Sequence, residues 1–437
     1  MNANIAYDSR FLRSQKAKWT LEWYKSLRYR EEIGYESYSQ AVIFPLKVLP
    51  GDNLMFGRGG VNDATGIYIQ NSAIKDRVEG NYPIEDFAYR DDTAVYCGYL
   101  IDHWGHFLIE AVNRLWFFLK HDRPEYHYVF IVKYGEDREL KGNYKEFFEL
   151  LGIDQRIEII NTPTCYLNVI VPENSFNYLE FFSREYQMIF EKVIKEALLS
   201  SSYQKEEPKR IFLSRSQFPK ACNTEFGLDL LDNFFKKNKY EIIFPEKYSL
   251  KKLIVLMNNA ETIAAESGSL SHNMLFCDYE QEFVIVERQT IVNRVQTSID
   301  CVKKPRITYI DADMMIYPVI MGYGPFLMLY NSCFEKFVHE KKYIAPDSAF
   351  TDEEYIKQNL KRYLKAYHNK YYLGCGIEDN QIVFISLLFE GYYDSMKVLG
   401  KYLNGQLPFC KEQLLLGRFS KLKRIKRFFG IFKRFHK

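Results

Sequence analysis

From about residue 90 to residue 160 the chain alternates short runs of β-branched and aromatic residues with longer segments whose apolar positions recur every three or four residues. TAVYCGYLI, YHYVFIVKY and RIEIIN read as strands, with HWGHFLIEAVNRLWFFLKH and YKEFFELLG as helices between them. Such alternation predicts βαβ units and a parallel, doubly wound sheet. A helix over 183–199 runs into the polar stretch SSSYQKEEPK, which suits a linker. The alternation then restarts, with KRIFLSRS, YEIIFP, TIAAES and EFVIVER as strands. TEFGLDLLDNFFKKNK, SLKKLIVLMNNA (opened by Ser249 as cap) and SHNMLFC are the helices of this second unit. The α/β fold class expected is two Rossmann-like domains facing a cleft. After residue 330 the pattern turns helical. The first 80 residues are the least readable part, with VIFPLKVL and GIYIQNSA as their strand signals. The expected organisation is 1–200 and 201–330 as α/β domains, 331–417 as a helical extension, and 418–437 as a distinct tail.

With 47% hydrophobic residues in 437, the chain buries substantial cores, which excludes disorder as its main state. Eight scattered Cys without a CxxC pair point away from a zinc ribbon or disulfide scaffold and toward a reducing compartment. MNANIAYDSRFLRSQKAKW lacks the apolar run of a signal peptide, and the apolar stretch from Met314 to Tyr330 is short and broken by Pro and Gly, so a cytoplasmic protein is expected. The net charge of +3 conceals an asymmetry. Residues 418–437 hold nine Lys and Arg and no acid, which leaves 50 basic against 56 acidic residues in the remainder. Phe419, Leu422, Ile425, Phe428, Phe429 and Phe432 recur at helical spacing among those charges. The tail reads as a basic amphipathic helix suited to the anionic inner face of a membrane, with a helix packed on the body as the competing reading. An acidic body gives no support to nucleic-acid binding.

Three constellations carry candidate chemistry. His106 and Glu110 are four apart at the start of a helix, so the carboxylate can orient the imidazole as a general base; His103 lies just before them. The competing reading is a helix cap with satisfied core histidines. Arg210, Ser214 and Arg215 accompany a strand, with Arg215 at its carboxyl end, where arginine forks and hydroxyls suit a diphosphate; Lys220 follows in the loop. A solvated basic turn would look the same. Glu266, Ser267, Gly268, Ser269 and Asn273 follow the strand TIAAE and open a helix, offering backbone N–H groups to an anion and Glu266 to a ribose, against the alternative of an ordinary cap. Gly57-Arg58-Gly59-Gly60 is not a dinucleotide fingerprint, and Asp311-Ala312-Asp313 is a weak candidate for a divalent metal, so no metal ligands are assigned.

HWGHFLIEAVNRLW, RIFLSR and FPEKYSLKKLIVLMNNAETIAAESGSLSHNMLF, in that order over about residues 80–300, resemble glycosyltransferase family 61, which includes bacterial capsular polysaccharide transferases, plant xylosyltransferases and animal O-linked GlcNAc transferases. The resemblance implies a GT-B fold and an inverting, metal-independent transfer, without a cofactor, from a nucleotide sugar, UDP-linked in our reading, to a glycan acceptor in capsular or surface polysaccharide synthesis. The His-x3-acid motif falls on His106 and Glu110, the Arg…Ser-Arg motif on Arg210, Ser214 and Arg215, and the turn on Gly268, Ser269 and Asn273. The first domain would hold the acceptor, which in this setting is commonly lipid-linked, and the second the nucleotide sugar. This chain departs from the pattern with Ser267 where many members have His, Ala221 where a second Arg is frequent, and Leu253 where Gln is usual. The alternative is a non-catalytic glycan- or nucleotide-binding assembly protein of the same fold.

Overall fold

A computed structural model describes residues 7–52, 57–73, 80, 82–84, 86–178, 180–199, 210–277, 281–289, 291–303, 306–314, 322–367 and 369–370. The chain opens with β1 (Tyr7–Phe11), α1 (Ser14–Ser26) and β2 (Arg28–Arg30). A first six-stranded sheet follows from β3 (Tyr35–Lys47), β4 (Arg58–Asn62), β5 (Ala88–Tyr99), β6 (Tyr126–Ile131), β7 (Ile157–Ile160) and β8 (Thr164–Pro172), in the order β4-β3-β8-β5-β6-β7. Strands β8, β5, β6 and β7 are parallel, whereas β3 runs against both of its neighbours. Helices α2 (Trp104–Ile109) and α3 (Trp116–His121) cross from β5 to β6, and α4 (Gly142–Leu151) crosses from β6 to β7. A ribbon of β9 (Phe176–Asn177), β10 (Phe181–Ser183) and β2 leads into α5 (Arg184–Leu199).

The second sheet contains β11 (Arg210–Leu213), β13 (Glu241–Ile243), β14 (Thr262–Glu266), β15 (Glu282–Glu287) and β16 (Arg306–Asp311). Between β11 and β13 lie α6 (Pro219–Cys222), β12 (Glu225–Phe226) and α7 (Leu228–Lys237); α8 (Leu250–Asn259), α9 (Ser269–His272) and α10 (Arg294–Lys303) make the later crossovers. All its strands are parallel, in the order β13-β11-β14-β15-β16-β1. The chain therefore leaves β11 in opposite directions along the sheet, to β13 on one side and β14 on the other. That reversal is the topological switch point where doubly wound sheets bind ligands. β17 (Phe326–Leu327), paired with β12, and helices α11 (Ser332–Glu340) and α12 (Glu353–Tyr367) complete the described chain. Expectations for 371–437, including the basic tail, lie outside the described residues.

The α/β alternation holds, with three differences. First, β1 is the sixth strand of the second sheet, with Tyr7 in register with Ile307, although it lies within the stretch 1–200. Lys16 of α1 is buried and its Nζ lies 2.7 Å from Asp311 Oδ1 and 3.6 Å from Asp313 Oδ2. Tyr24 of α1 donates to Asp300, which also accepts from Tyr309 at 2.6 Å. Second, the segment 103–121 is not one helix: Glu110 (φ −124°) interrupts it, and the Asn113 amide donates to the carbonyls of Ile109 and Phe176. Third, GIYIQNSA forms a 3₁₀ turn at Gln70–Ser72 instead of a strand, because the Ser72 hydroxyl accepts from Val61 N and donates to Ile69 O.

The two sheets are not separated by solvent throughout. One hydrophobic cluster runs from Val95, Phe107 and Phe147 through Phe190 to Leu253, Phe276 and Ile285. Glu146 of α4 accepts from the backbone N–H groups of Leu250 at 2.6 Å and Lys251 at 3.1 Å, so a carboxylate of the first unit joins Ser249, as expected from sequence, at the N-terminus of α8 in the second. Removing one partner of a buried ion pair leaves an uncompensated charge. Lys16→Ala is accordingly expected to lower the unfolding free energy by about 3 kcal/mol, read as a shift of the urea midpoint; a loss below about 0.5 kcal/mol, the range of ordinary surface substitutions, would show that the docked arm adds little.

Candidate active site

Helix α2 begins where His103, in extended conformation (φ −153°, ψ 113°), turns its ring toward the amide of His106 at 3.5 Å. One turn on, His106 Nδ1 lies 3.3 Å from Glu110 Oε1, with the carboxylate largely buried and the imidazole a third exposed. This pairing assigns the Nδ1 proton toward Glu110 and makes Nε2 the basic nitrogen. The His103 and His106 rings are 4.9 Å apart. Burial, then the neighbouring His106 and Arg215, hold the His103 imidazole below its ordinary pKa. Arg215, from the second unit, is thus among the charges that act on His103.

At the carboxyl end of β11, Ser214 is buried and its hydroxyl accepts from Ser216 N at 3.1 Å. Arg215 Nε donates to Glu225 Oε1 at 3.1 Å, and Arg288 donates to Glu225 Oε2. Burial pushes the Glu225 carboxyl up, but Arg288 and Arg215 outweigh it and hold the group below its usual range. Glu266, at the end of β14, accepts from Arg215 N at 3.4 Å. Burial and the charge of Glu225 push Glu266 up to about 8, so it carries the proton of this carboxyl pair. Gly268 follows at φ 129°, and a Cβ there would sit 2.8 Å from Arg288 Nη2. Only glycine lets the turn wrap the guanidinium that closely. The Ser271 hydroxyl accepts from Gly268 N at 3.1 Å and donates to Gly268 O at 2.9 Å, while buried Ser267 is anchored to β15 through Val286 O.

The halves meet along α2 and α9. A Cβ on Gly105 would come within 2.8 Å of Ser269 Oγ and 3.1 Å of His272 Nδ1. Trp104 Nε1 donates to Asn273 Oδ1 at 2.8 Å, and its ring stacks with Phe107 and Phe276. Trp104 is thus a strut between the units. His272 was not singled out from sequence. It is buried, and neither ring nitrogen has a hydrogen-bond partner. Burial, His106, His103 and Arg288 push it down to about 3, so it stays neutral. The two histidines that act on it, His103 and His106, belong to the first unit, so no local spacing could have revealed it.

Arg210 is not brought to this site. It starts β11, exposed, with its guanidinium over the Tyr240 ring, about 13 Å of strand from Ser214. Alternation placed the two on one face but did not distinguish the ends of the strand. Lys220 is exposed on α6. Asp311 and Asp313 are occupied by Lys16 and by Arg13, which lies 3.6 Å from each. Among the described residues no group of three or more His, Cys, Asp or Glu is arranged to hold a metal ion, and no helix is long and apolar enough to cross a membrane.

Buried ionisable groups here set a pH dependence. Glu266 and Glu287, the latter pushed by burial up to about 8, bind protons more tightly folded than unfolded. Their contribution is complete below the ordinary carboxylate pKa and is lost as pH rises through 8. His272 acts oppositely: neutral in the fold, its contribution is present above about 6.5 and lost as pH falls toward 3. Between pH 6.5 and 8.5 the carboxyls dominate, so the melting temperature should fall, and the combined Glu266→Gln and Glu287→Gln variant should flatten that fall. A wild-type melting temperature that rises over this range would contradict the assignment.

No curated protein matches the chain. Residues 104–284, which run from the start of α2 into β15 and so span the His106–Glu110 pair, Arg215 and the Gly268 turn, match the family model described as Glycosyltransferase 61. Over this stretch the chain is similar to glycosyltransferase family 61.

Proposed function

We propose that the chain is an inverting, metal-independent transferase that moves a sugar from a nucleotide donor, UDP-linked in our reading, to a glycan acceptor of a capsular or surface polysaccharide. The observation that carries this reading is the close packing of the His103–His106 helix on the turn that follows β14, with Gly105 against Ser269 and His272 at the carboxyl edge of the second sheet. A base from one unit and an oxyanion clamp from the other then flank one reaction centre, as a GT-B arrangement requires. The first unit takes the acceptor and the second the donor. Arg215, Ser214 and the turn 267–269 hold the diphosphate; Arg210, at the far end of its strand, is left out of this set. Glu266, protonated, is suited to donate to or accept from a ribose hydroxyl.

In the reaction the acceptor oxygen attacks the anomeric carbon, the bond to the diphosphate oxygen breaks, and the acceptor proton passes to His106 Nε2. Glu110 stabilises the imidazolium that forms. Charge appearing on the departing diphosphate meets Arg215 and the N–H and hydroxyl of Ser269 at the start of α9, which favours a reaction without a divalent ion. Occupation of Asp311 and Asp313 by Lys16 and Arg13 favours the same view. The composition of 418–437 supports docking at an anionic inner-membrane face, where lipid-linked acceptors are found.

A thermal-shift screen with UDP-, GDP- and CMP-sugars tests the donor class, with stabilisation by UDP-sugars expected and none by the others. With the donor so found, His106→Ala should lower transfer about 10²-fold or more, and Glu110→Gln less. Full activity in both variants would remove the base assignment. Arg215→Ala should weaken nucleotide binding about tenfold, read by calorimetry on a protein that still folds; unchanged affinity would remove the diphosphate role.

A further inference from the structure

A cavity of about 530 Å³ lies at the carboxyl ends of β5 and β6, in the first unit. Its size is that of a small-molecule site. Leu100, Ile101 and Asp102, which follow β5, form one wall, and the segment 136–144, which runs from β6 into α4, forms the other. The position repeats on the first sheet what the Arg215–Glu266 site occupies on the second, the crevice beyond parallel strand ends. Asp102 and Trp104, which line it, flank His103, so the cavity ends beside the helix that carries His106.

The charge of this wall restricts its occupant. Four acids (Asp102, Glu136, Asp137, Glu139) face two cations, Arg138 and Lys141. Arg138 is already engaged, donating Nε to Glu136 Oε1 at 2.9 Å and Nη1 to the Leu100 carbonyl. Asp137 accepts from Asn161 at 3.0 Å, and burial together with the charge of Asp102 raises the pKa of the Tyr144 hydroxyl. Buried Leu100 and Ile101 supply an apolar floor. A carboxylate-rich rim over such a floor matches the hydroxyl donors and C–H faces of a pyranose. It repels phosphate, uronate and sialate, for which an engaged Arg138 offers little compensation.

We propose that this cavity is the acceptor subsite and that it selects a pyranose without negative charge, gripping an amine-bearing one most tightly through Asp102. This rests on the transferase reading, since it makes the occupant a unit of the acceptor glycan, held beside the helix that carries His106. The test is saturation-transfer NMR on the full chain with the methyl glycosides of glucose, galactose, glucosamine, N-acetylglucosamine and glucuronic acid. Saturation transfer to the uncharged and amino sugars, with methyl glucuronide at least tenfold weaker, is expected. Asp102→Asn should weaken methyl glucosaminide about tenfold, and Tyr144→Phe should weaken all the binding sugars while the melting temperature stays within a few degrees of the parent. Methyl glucuronide binding as well as methyl glucosaminide, sugar binding untouched by both variants, or no saturation transfer from any of the five would each overturn the proposal. The nucleotide thermal shift separates the two ideas. Nucleotide binding without sugar binding sinks the cavity alone, whereas sugar binding without nucleotide binding sinks the transferase reading and leaves a sugar cavity.

Discussion

Everything at the centre of this molecule depends on how closely α2 can lie against α9. Gly105 has no side chain, so the backbone of the first unit comes within contact of Ser269 and His272 in the second, and the Trp104–Asn273 hydrogen bond fixes the register of that contact. A methyl group on Gly105 would meet Ser269 Oγ at 2.8 Å and His272 Nδ1 at 3.1 Å, so the two helices could not keep this separation. The shared hydrophobic cluster and the capping of α8 by Glu146 make the approach rigid, because shifting one helix would disturb both a packed core and a helix terminus. The candidate residues thus gather along the seam, and each half alone supplies only part of the set.

Electrostatics at the seam are organised around keeping net charge low despite many ionisable groups. Glu225 takes a hydrogen bond from both Arg215 and Arg288, Glu266 keeps its proton, and His272 remains neutral. Arg215, less buried than Arg288, is the cation of the pair that an incoming anion can engage. Arg288 is the fixed one, wrapped by the Gly268 turn. This division separates a buried guanidinium from a more accessible one, and only the latter stands out in the sequence.

What could be read from sequence follows a physical rule. Elements whose burial is periodic were visible, as were pairs whose partners are near in sequence, such as His106 with Glu110 and Ser249 with its helix. Features made by distant partners were not: the place of β1 beside β16, the ion pairs of Lys16, the neutral His272 and the Glu225–Glu266 proton-sharing pair. Arg210 shows a subtler limit, since alternation gives the face of a strand but not which end the ligand uses. The break at Glu110 is of the same kind, because the carbonyl of Phe176 that helps hold Asn113 comes from another part of the chain.

The position of β1 has a consequence in time. Tyr7 pairs with Ile307, so the first described strand waits for a neighbour made far later, and α1 waits with it until Asp311 exists to receive Lys16. During synthesis more than three hundred residues must leave the ribosome before that edge closes, while the first sheet, complete by Pro172, has all its strands at hand. Pairings of such long sequence separation form slowly, since the loop must close before contacts reward it. Until then the open edge at β16 and an unattached amphiphilic arm are the sites most exposed to mispairing, which makes the arm's docking the natural final checkpoint in maturation of the protein.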